Sequence, residues 1–193
     1  MKMKDKITKV FGEDKLEHRL GIVYPQIHVI DLTERTKSAK SMEIYDAKPE
    51  GIDTLLIKNP NLNINATFFK PQCFLDKRSK EPDNCEGVFY LSNSNEQTWI
   101  LFIEIKDCKA KNISEYFDDT KNQVISVVRI FRDKNIISQQ KRVYANISFP
   151  RRNKTDFFRQ LITDGEPKEF RDKYKIIIRG TNKLKIKNEQ TIY

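Results

Sequence analysis

The sequence is poor in the residues that most often build zinc and disulfide sites, with three cysteines and two histidines among 193 residues. The cysteines Cys73, Cys85 and Cys108 are too far apart for a zinc site, and His18 and His28 are not at ligand spacing from them. An odd, sparse cysteine count without a disulfide framework indicates a reducing compartment. We therefore expect neither a zinc-stabilised nor a disulfide-stabilised domain.

Long apolar runs are also missing. No stretch approaches the ~18 apolar residues of a membrane span, and the basic segment 1–11 lacks the apolar centre of a signal peptide. We therefore expect a soluble, cytoplasmic protein without a membrane partner. The apolar residues, 38% of the chain, are clustered, and 193 residues suffice for one domain with a core. We predict a single domain over 1–193.

Positive charge is what the chain has in excess, with a formal net charge of +9 and a pI of about 9.4. A balance of this size is typical of proteins that bind polyanions, because lysines and arginines displace counterions from phosphate backbones. A solvated, lysine-rich surface explains it equally well. Charge alone does not choose between these readings.

The second half of the chain has the clearest secondary-structure patterns. Segments 86–91 (EGVFYL) and 98–106 (TWILFIEIK) are rich in β-branched and aromatic residues, and the turn residues 92–97 between them predict an antiparallel hairpin. An apolar stripe over 113–131 predicts a long amphipathic helix. Segment 142–149 (RVYANISF) predicts another strand. The predicted order is therefore strand, strand, helix, strand.

Other segments carry weaker patterns. Apolar residues at roughly helical spacing predict a short amphipathic helix over 5–20, for which an interruption at Gly12 is an alternative. The charged stretch 33–51 is predicted as loop. Segments 174–179 and 183–187 predict a closing pair of strands around Gly180.

The strand at 98–106 is apolar on both faces, which predicts a central strand covered on both sides, yet it ends in polar residues. Alternation places Glu104 and Lys106 on one face. If the hairpin loop is centred near Asn95, Glu86 stands directly opposite Glu104 on that face, at about 5 Å between Cβ atoms. A slip of one residue would move Glu86 to the other face. Two opposed carboxylates repel each other, and a bound divalent cation removes that cost.

These residue types suit the hydrolysis of a nucleic-acid backbone. Mg²⁺ (or Mn²⁺) prefers oxygen ligands and few protein donors, which matches Glu86, Glu104, a backbone carbonyl such as that of Ile105, and waters. The ammonium of Lys106 is placed to orient a water for attack on a phosphodiester and to compensate the negative charge of the transition state. We predict Glu86, Glu104 and Lys106 as the catalytic residues.

The succession CEGVFYL, turn, WILFIEIK, long helix and strand resembles the core of the PD-(D/E)XK, restriction-endonuclease-like nuclease superfamily over residues 83–149. In that family an acid opens the second core strand, which Glu86 matches, and an acid-X-lysine tripeptide ends the third, which Glu104-Ile105-Lys106 matches. The resemblance implies an α+β fold (α/β-like core) with a mixed central β-sheet flanked by helices. It also implies Mg²⁺-dependent cleavage of phosphodiester bonds, with DNA favoured over RNA.

Four further residues are candidates. The family's opening acid is usually aspartate, so Asp83 is an alternative first metal ligand if the chain bulges there, although an aspartate after proline is also a common turn residue. Gln123 matches a polar residue often found on the following helix, or else is a structural hydrogen-bonder. Arg151 and Arg152 follow the strand after the helix and are candidate nucleic-acid contacts.

Alternative functions stay open at this point. A chain of this size is expected to act as a homodimer or as a subunit of a larger complex, in a role such as restriction, repair or anti-phage defence. The runner-up is a non-catalytic nucleic-acid-binding or scaffolding module with a degraded site, which the glutamate in place of aspartate keeps open. A third reading is an unrelated α+β interaction protein that binds no metal.

Overall fold

The structure is a computed structural model, and it describes most of the chain. The described residues are 1–32, 42–70, 73, 85–106, 113–151 and 166–193.

Three helices and eleven strands lie in the described residues. In chain order they are α1 (Met3–Phe11), β1 (Leu16–Ile22), β2 (Gln26–Asp31), β3 (Met42–Tyr45), β4 (Leu55–Lys58), β5 (Ile64–Phe69), β6 (Gly87–Leu91), β7 (Ile100–Ile105), α2 (Ile113–Asp133), β8 (Val143–Ser148), α3 (Glu166–Tyr174), β9 (Ile176–Gly180), β10 (Lys183–Asn188) and β11 (Thr191–Ile192).

The strands form two sheets. The six-stranded sheet has the order β1-β5-β6-β7-β8-β9, and the five-stranded sheet has the order β11-β10-β4-β2-β3. In the larger sheet β1, β5, β6 and β7 pair antiparallel, while β7, β8 and β9 pair parallel. Parallel neighbours need a crossover, and α2 supplies it between β7 and β8. The predicted α+β class with a mixed sheet is therefore confirmed, as is the order strand, strand, helix, strand over 86–149.

The six-stranded sheet separates two hydrophobic cores. On one face α1 and α2 pack over it, and Phe131 of α2 contacts Phe11, Phe69 and Phe102 at ring-centroid distances of 5.9, 6.1 and 5.0 Å. The five-stranded sheet covers the other face. Strand β7 lies between both layers, with Ile100 and Phe102 in the first core and Leu101, Ile103 and Ile105 in the second. The predicted covering of this strand on both sides is confirmed.

The predicted helix over 5–20 is wrong beyond Gly12, and the interruption considered at that residue is where the helix ends. Helix α1 ends at Phe11, the chain turns at Gly12 with φ of 89°, and Leu16–Ile22 forms the edge strand β1. Leu16 and Leu20 are four residues apart, a spacing that fits both a helical face and one face of a strand. The apolar spacing therefore could not decide between the two.

The predicted pairing of the two C-terminal strands is also wrong. Strand β9 extends the six-stranded sheet, whereas β10 pairs with β4 in the other sheet. Asn182 fixes the point at which the chain passes from the six-stranded sheet to the five-stranded one. Its Oδ1 accepts hydrogen bonds from Ser148 Oγ and Phe149 N, and its Nδ2 donates to Phe149 O, all within 2.9 Å. The strand β3, in the segment predicted as loop, is a further difference.

A chain of polar side chains crosses the first core from α1 to β6. His18 Nε2 lies 3.1 Å from Thr8 Oγ1 and its Nδ1 lies 2.9 Å from Thr67 Oγ1, which in turn lies 3.0 Å from the hydroxyl of Tyr90. Burial lowers the pKa of His18 below 6.5, although the nearby carboxylate of Glu13 acts in the opposite direction. The neutral imidazole is therefore the form that the folded protein holds.

This network predicts an acid-sensitive contribution to stability. Below pH 6.5 His18 takes up a proton in the unfolded chain, whereas in the folded protein its lowered pKa keeps it neutral. The free energy of unfolding therefore falls as the pH drops from 6.5 towards the pKa of His18 in the folded protein. The loss between pH 7.5 and 5.5, measured by urea denaturation, should be smaller in His18→Gln than in the wild-type protein. An equal loss in both proteins would contradict this assignment.

Candidate functional site

The β6–β7 register places the two predicted acids opposite each other. Gly87 pairs with Ile103 and Tyr90 with Ile100, so Glu86, one residue before β6, faces Glu104. The backbone N–H of Glu86 donates a hydrogen bond to Glu104 Oε2 at 3.1 Å. The predicted register is thus confirmed, and the two glutamates lie together at the end of the hairpin.

Gly87 allows this end of β6 to approach β5 closely. A Cβ atom there would lie 2.6 Å from the Phe68 ring and 2.9 Å from the carbonyl oxygen of Thr67. The Phe69 N–H donates to the carbonyl oxygen of Glu86 at 3.1 Å. Backbone contacts to β5 on one side and a side-chain contact to β7 on the other therefore fix the position of Glu86.

Lys106 lies next to Glu104 on the helix-facing side of the sheet. Its Nζ is 2.8 Å from Glu104 Oε1. The contact is an ion pair rather than an aligned hydrogen bond, and no other donor in the described part of the chain reaches this buried oxygen. Glu104 is fully buried, whereas 29% of the Lys106 side chain is exposed and Glu86 is partly exposed. Solvent therefore reaches the site through Glu86 and Lys106.

A third acid, Asp31, acts on the site from the other sheet. It ends β2 and shares the face of Ile27 and Val29, which pack towards the six-stranded sheet. Its negative charge raises the pKa values of Glu86 and Glu104. The sequence analysis missed Asp31, although an acid that ends an apolar strand (HVID) is the same signal that singled out Glu104.

The electrostatics of the site reflect burial and an excess of acids. Desolvation raises the pKa of Glu86 well above its usual value, and the charges of Glu104 and Asp31 add to this effect. Desolvation also raises the pKa of Glu104 to about 7, against the opposing effect of Lys106. Burial alone would lower the pKa of Lys106, but the three carboxylates outweigh it and raise that pKa. The ammonium of Lys106 therefore contacts Glu104 and lies in the negative field of Glu86 and Asp31.

Gln123 lies on α2 towards the same end of β7. Phe131 packs on Phe102, and α2 runs back along the sheet from the end of β7 to the start of β8. Gln123 is about 12 Å from Phe131 along the helix axis, and Lys106 is about 13 Å from Phe102 along the strand. Measured from the Phe131–Phe102 contact, Gln123 and Lys106 therefore lie at a similar distance towards the end of β7. Gln123 Oε1 is buried and has no hydrogen-bond partner in the described residues.

The remaining predicted residues divide into three groups. The side chain of Ile105 is buried between the sheets, on the face opposite Glu104. Arg151 is exposed and follows β8, whose Ser148 carbonyl accepts a hydrogen bond from Lys106 N at 3.0 Å, so Arg151 lies at the same sheet edge as the acids. Asp83 and Arg152 lie outside the described residues.

The donor set fits a hard divalent cation with few protein ligands. Within the described ranges no three histidine, cysteine, aspartate or glutamate side chains are close enough together to form a metal site by themselves. Mg²⁺, however, is commonly held by one or two carboxylates, waters and substrate phosphates. Glu86 and Glu104 supply two carboxylates, and Glu104 Oε1, apart from its ion pair with Lys106, has no hydrogen-bond partner among the described residues.

Comparison with known proteins adds no relative. No protein-family model, curated protein or solved structure matches the chain. None of the described helices is long and apolar enough to cross a membrane.

The ion pair predicts strong coupling between Glu104 and Lys106. Lys106→Met leaves a fully buried carboxylate without its cation and should lower the free energy of unfolding by roughly 1–3 kcal/mol at pH 8. Glu104→Gln/Lys106→Met should be more stable than the sum of the two single changes implies. Urea denaturation of the four proteins measures this coupling, and additive effects would show that the contact contributes nothing.

Proposed function

We propose that the protein is a Mg²⁺-dependent nuclease that hydrolyses phosphodiester bonds, with Glu86, Glu104 and Lys106 as its catalytic residues. The observation that carries the proposal is the register that sets Glu86 opposite Glu104, with Lys106 Nζ 2.8 Å from Glu104 Oε1. Two carboxylates and an ammonium at one partly exposed sheet edge are a set of groups that can support metal-assisted phosphodiester hydrolysis.

The charge distribution supports a nucleic-acid substrate. The chain has a net charge of +9, and Arg151 is exposed at the sheet edge that carries the acids. A basic surface attracts a phosphate backbone, while the local excess of acids would repel it unless a cation intervenes. The site therefore suits a substrate and a divalent cation that bind together.

The protein groups have distinct roles in this mechanism. A Mg²⁺ ion held by Glu86, Glu104 and the carbonyl of Ile105 would polarise the scissile phosphate and activate water. The ammonium of Lys106, positioned by Glu104, donates to a phosphate oxygen and compensates the charge of the transition state. Gln123 Oε1 is an acceptor without a partner in the described residues, and it suits a donor on the substrate or an attacking water.

The arrangement of elements supports a relationship to the PD-(D/E)XK superfamily. An antiparallel pair, a helical crossover and a parallel strand follow one another over β6, β7, α2 and β8. An acid precedes the first of these strands, and the acid-X-lysine tripeptide ends the second. On this basis we propose DNA rather than RNA as the substrate, Mn²⁺ as a substitute cation, and action as a homodimer or within a larger complex.

One observation favours the runner-up function. Glu104 is fully buried and already paired with Lys106, as in an ion pair that serves only the fold. In a non-catalytic nucleic-acid-binding module these residues would hold the hairpin against β8, and the basic surface would carry the function. This alternative predicts salt-sensitive binding without cleavage.

A cleavage assay with matched variants tests the proposal. Supercoiled plasmid, linear duplex and single-stranded RNA are incubated with the protein in Mg²⁺, Mn²⁺ or EDTA. Glu104→Gln and Lys106→Ala should each lower cleavage by at least about 100-fold, because each removes a group needed in the transition state. Cleavage should also be lost in EDTA.

Exposed residues of the same types provide the controls. Glu50→Gln and Lys58→Ala, both at exposed residues outside the proposed site, should retain full activity. Cleavage that persists in folded Glu104→Gln and Lys106→Ala would refute the assignment. Wild-type protein that binds DNA but never cleaves it would favour the runner-up.

Asp31 should tune the site without being essential to it. Its charge acts on all three catalytic residues, so Asp31→Asn removes part of the negative field that attracts a cation. We expect the Mn²⁺ dissociation constant, measured by calorimetry, to rise several-fold. Glu43→Gln, an acid on the neighbouring strand β3, is the control, and an unchanged constant in Asp31→Asn would exclude a role for Asp31 in cation binding.

A further inference from the structure

A cavity of about 900 Å³ lies at the edge of the six-stranded sheet opposite the candidate nuclease site. It is lined at the start of β7 by Thr98 and Trp99, and at the start of β8 by Lys141 and Arg142. Glu104 is five residues beyond Trp99 on the same strand, about 17 Å away. The cavity is therefore separate from the acids, and its volume is that of a site for a small molecule.

Lys141 brings a buried positive charge to this cavity. The residue is 3% exposed, and its Nζ donates to the carbonyl oxygens of Asn95 and Thr98 at 2.5 and 2.8 Å. An ammonium has three donors, so one remains for a further acceptor. In the described part of the chain no carboxylate forms an ion pair with Lys141. Burial lowers its pKa, although the charge of Glu96 counteracts this effect.

A second buried cation lies directly behind Lys141. Arg132, in the last turn of α2, is 8% exposed and donates from its guanidinium to the carbonyl oxygen of Lys141 at 3.1 Å. Its Nε is buried without a partner among the described residues. Burying a charge without a counter-ion is costly. Arg132 thus places a second positive charge near the wall of the cavity, which favours an anion there.

Exposed cations complete the wall. Arg142 and Lys175 both line the cavity with exposed side chains. Glu96 is the acid among the lining residues, and its Oε2 accepts a hydrogen bond from Ser138 Oγ at 2.7 Å. Three basic side chains and one acidic one leave the lining positive, with neutral donors such as Gln190 between them.

We propose that this cavity binds a small phosphorylated ligand of nucleotide size, whose phosphate is held by Lys141, Arg142 and Lys175. The ammonium of Lys141 supplies the fixed, preorganised donor, and the two exposed side chains close around the anion. A phosphate group is favoured because several cations converge on one space and compact multivalent anions bind such clusters most strongly. The proposal does not depend on the nuclease activity, because no residue of that site lines the cavity.

Calorimetric titration in metal-free buffer tests the proposal with three probes: inorganic phosphate, adenosine 5′-triphosphate and a single-stranded oligonucleotide. Lys141 also joins the segment between α2 and β8 to the loop between β6 and β7, so its substitution risks unfolding. The test variant is therefore Arg142→Gln/Lys175→Gln, which changes exposed residues. The control is Lys58→Gln/Lys183→Gln, which removes the same charge from exposed residues of β4 and β10 that do not line the cavity.

We expect the nucleotide to bind the wild-type and control proteins equally, and to bind the test variant at least about tenfold more weakly. Glu104→Gln should bind it like the wild-type protein. Equal binding by the test and control variants, or no binding of phosphate and nucleotide to the wild-type protein, would overturn the proposal. A third outcome is that the oligonucleotide binds, and binds the test variant more weakly than the control, while the nucleotide does not bind. The cavity would then hold phosphates of a nucleic-acid strand, and the small-molecule assignment would be overturned.

Discussion

The site and the sheet that carries it depend on one interaction, the ion pair between Glu104 and Lys106 at the end of β7. Glu104 is fully buried, and an isolated buried carboxylate would cost several kcal/mol or take up a proton. Lys106 Nζ at 2.8 Å and the backbone N–H of Glu86 at 3.1 Å offset that cost. Because Lys106 N also bonds to Ser148 O, the same residue links the acids to the parallel neighbour β8.

Within the described residues, the cation that pairs with Glu104 is Lys106, and the proposed function depends on the negative charge that remains at the site. The Lys106 ammonium contacts Glu104, and the charges of Glu86 and of Asp31, the latter on the second sheet, also act on it. In the proposed function a divalent cation balances this negative charge. The other end of β7 has the opposite imbalance, with Lys141 and Arg132 buried without an ion-pair partner in the described residues. On the two proposals above, the central strand joins a cation-binding site to an anion-binding one.

Much of the site could be predicted because it lies on neighbouring segments of the chain. The alternation along β7 and the loop centred near Asn95 fix the face and the partner of Glu104, and the structure has the same register. Asp31 could not be predicted, since its approach depends on how the five-stranded sheet packs on the six-stranded one. The same holds for the separation of β9 from β10, which Asn182 fixes through bonds to a distant strand. The error at α1 arose because Leu16 and Leu20 fit both helical and extended periods.

The most direct test of a cation between Glu86 and Glu104 is to locate the ion itself. Crystals of the protein soaked in Mn²⁺ would be measured at a wavelength where manganese scatters anomalously. The account predicts an anomalous peak at about 2.1 Å from carboxylate oxygens of both residues, and its absence from crystals of Glu104→Gln. A peak elsewhere, or an intact Glu104–Lys106 pair with no ion at saturating Mn²⁺, would contradict it.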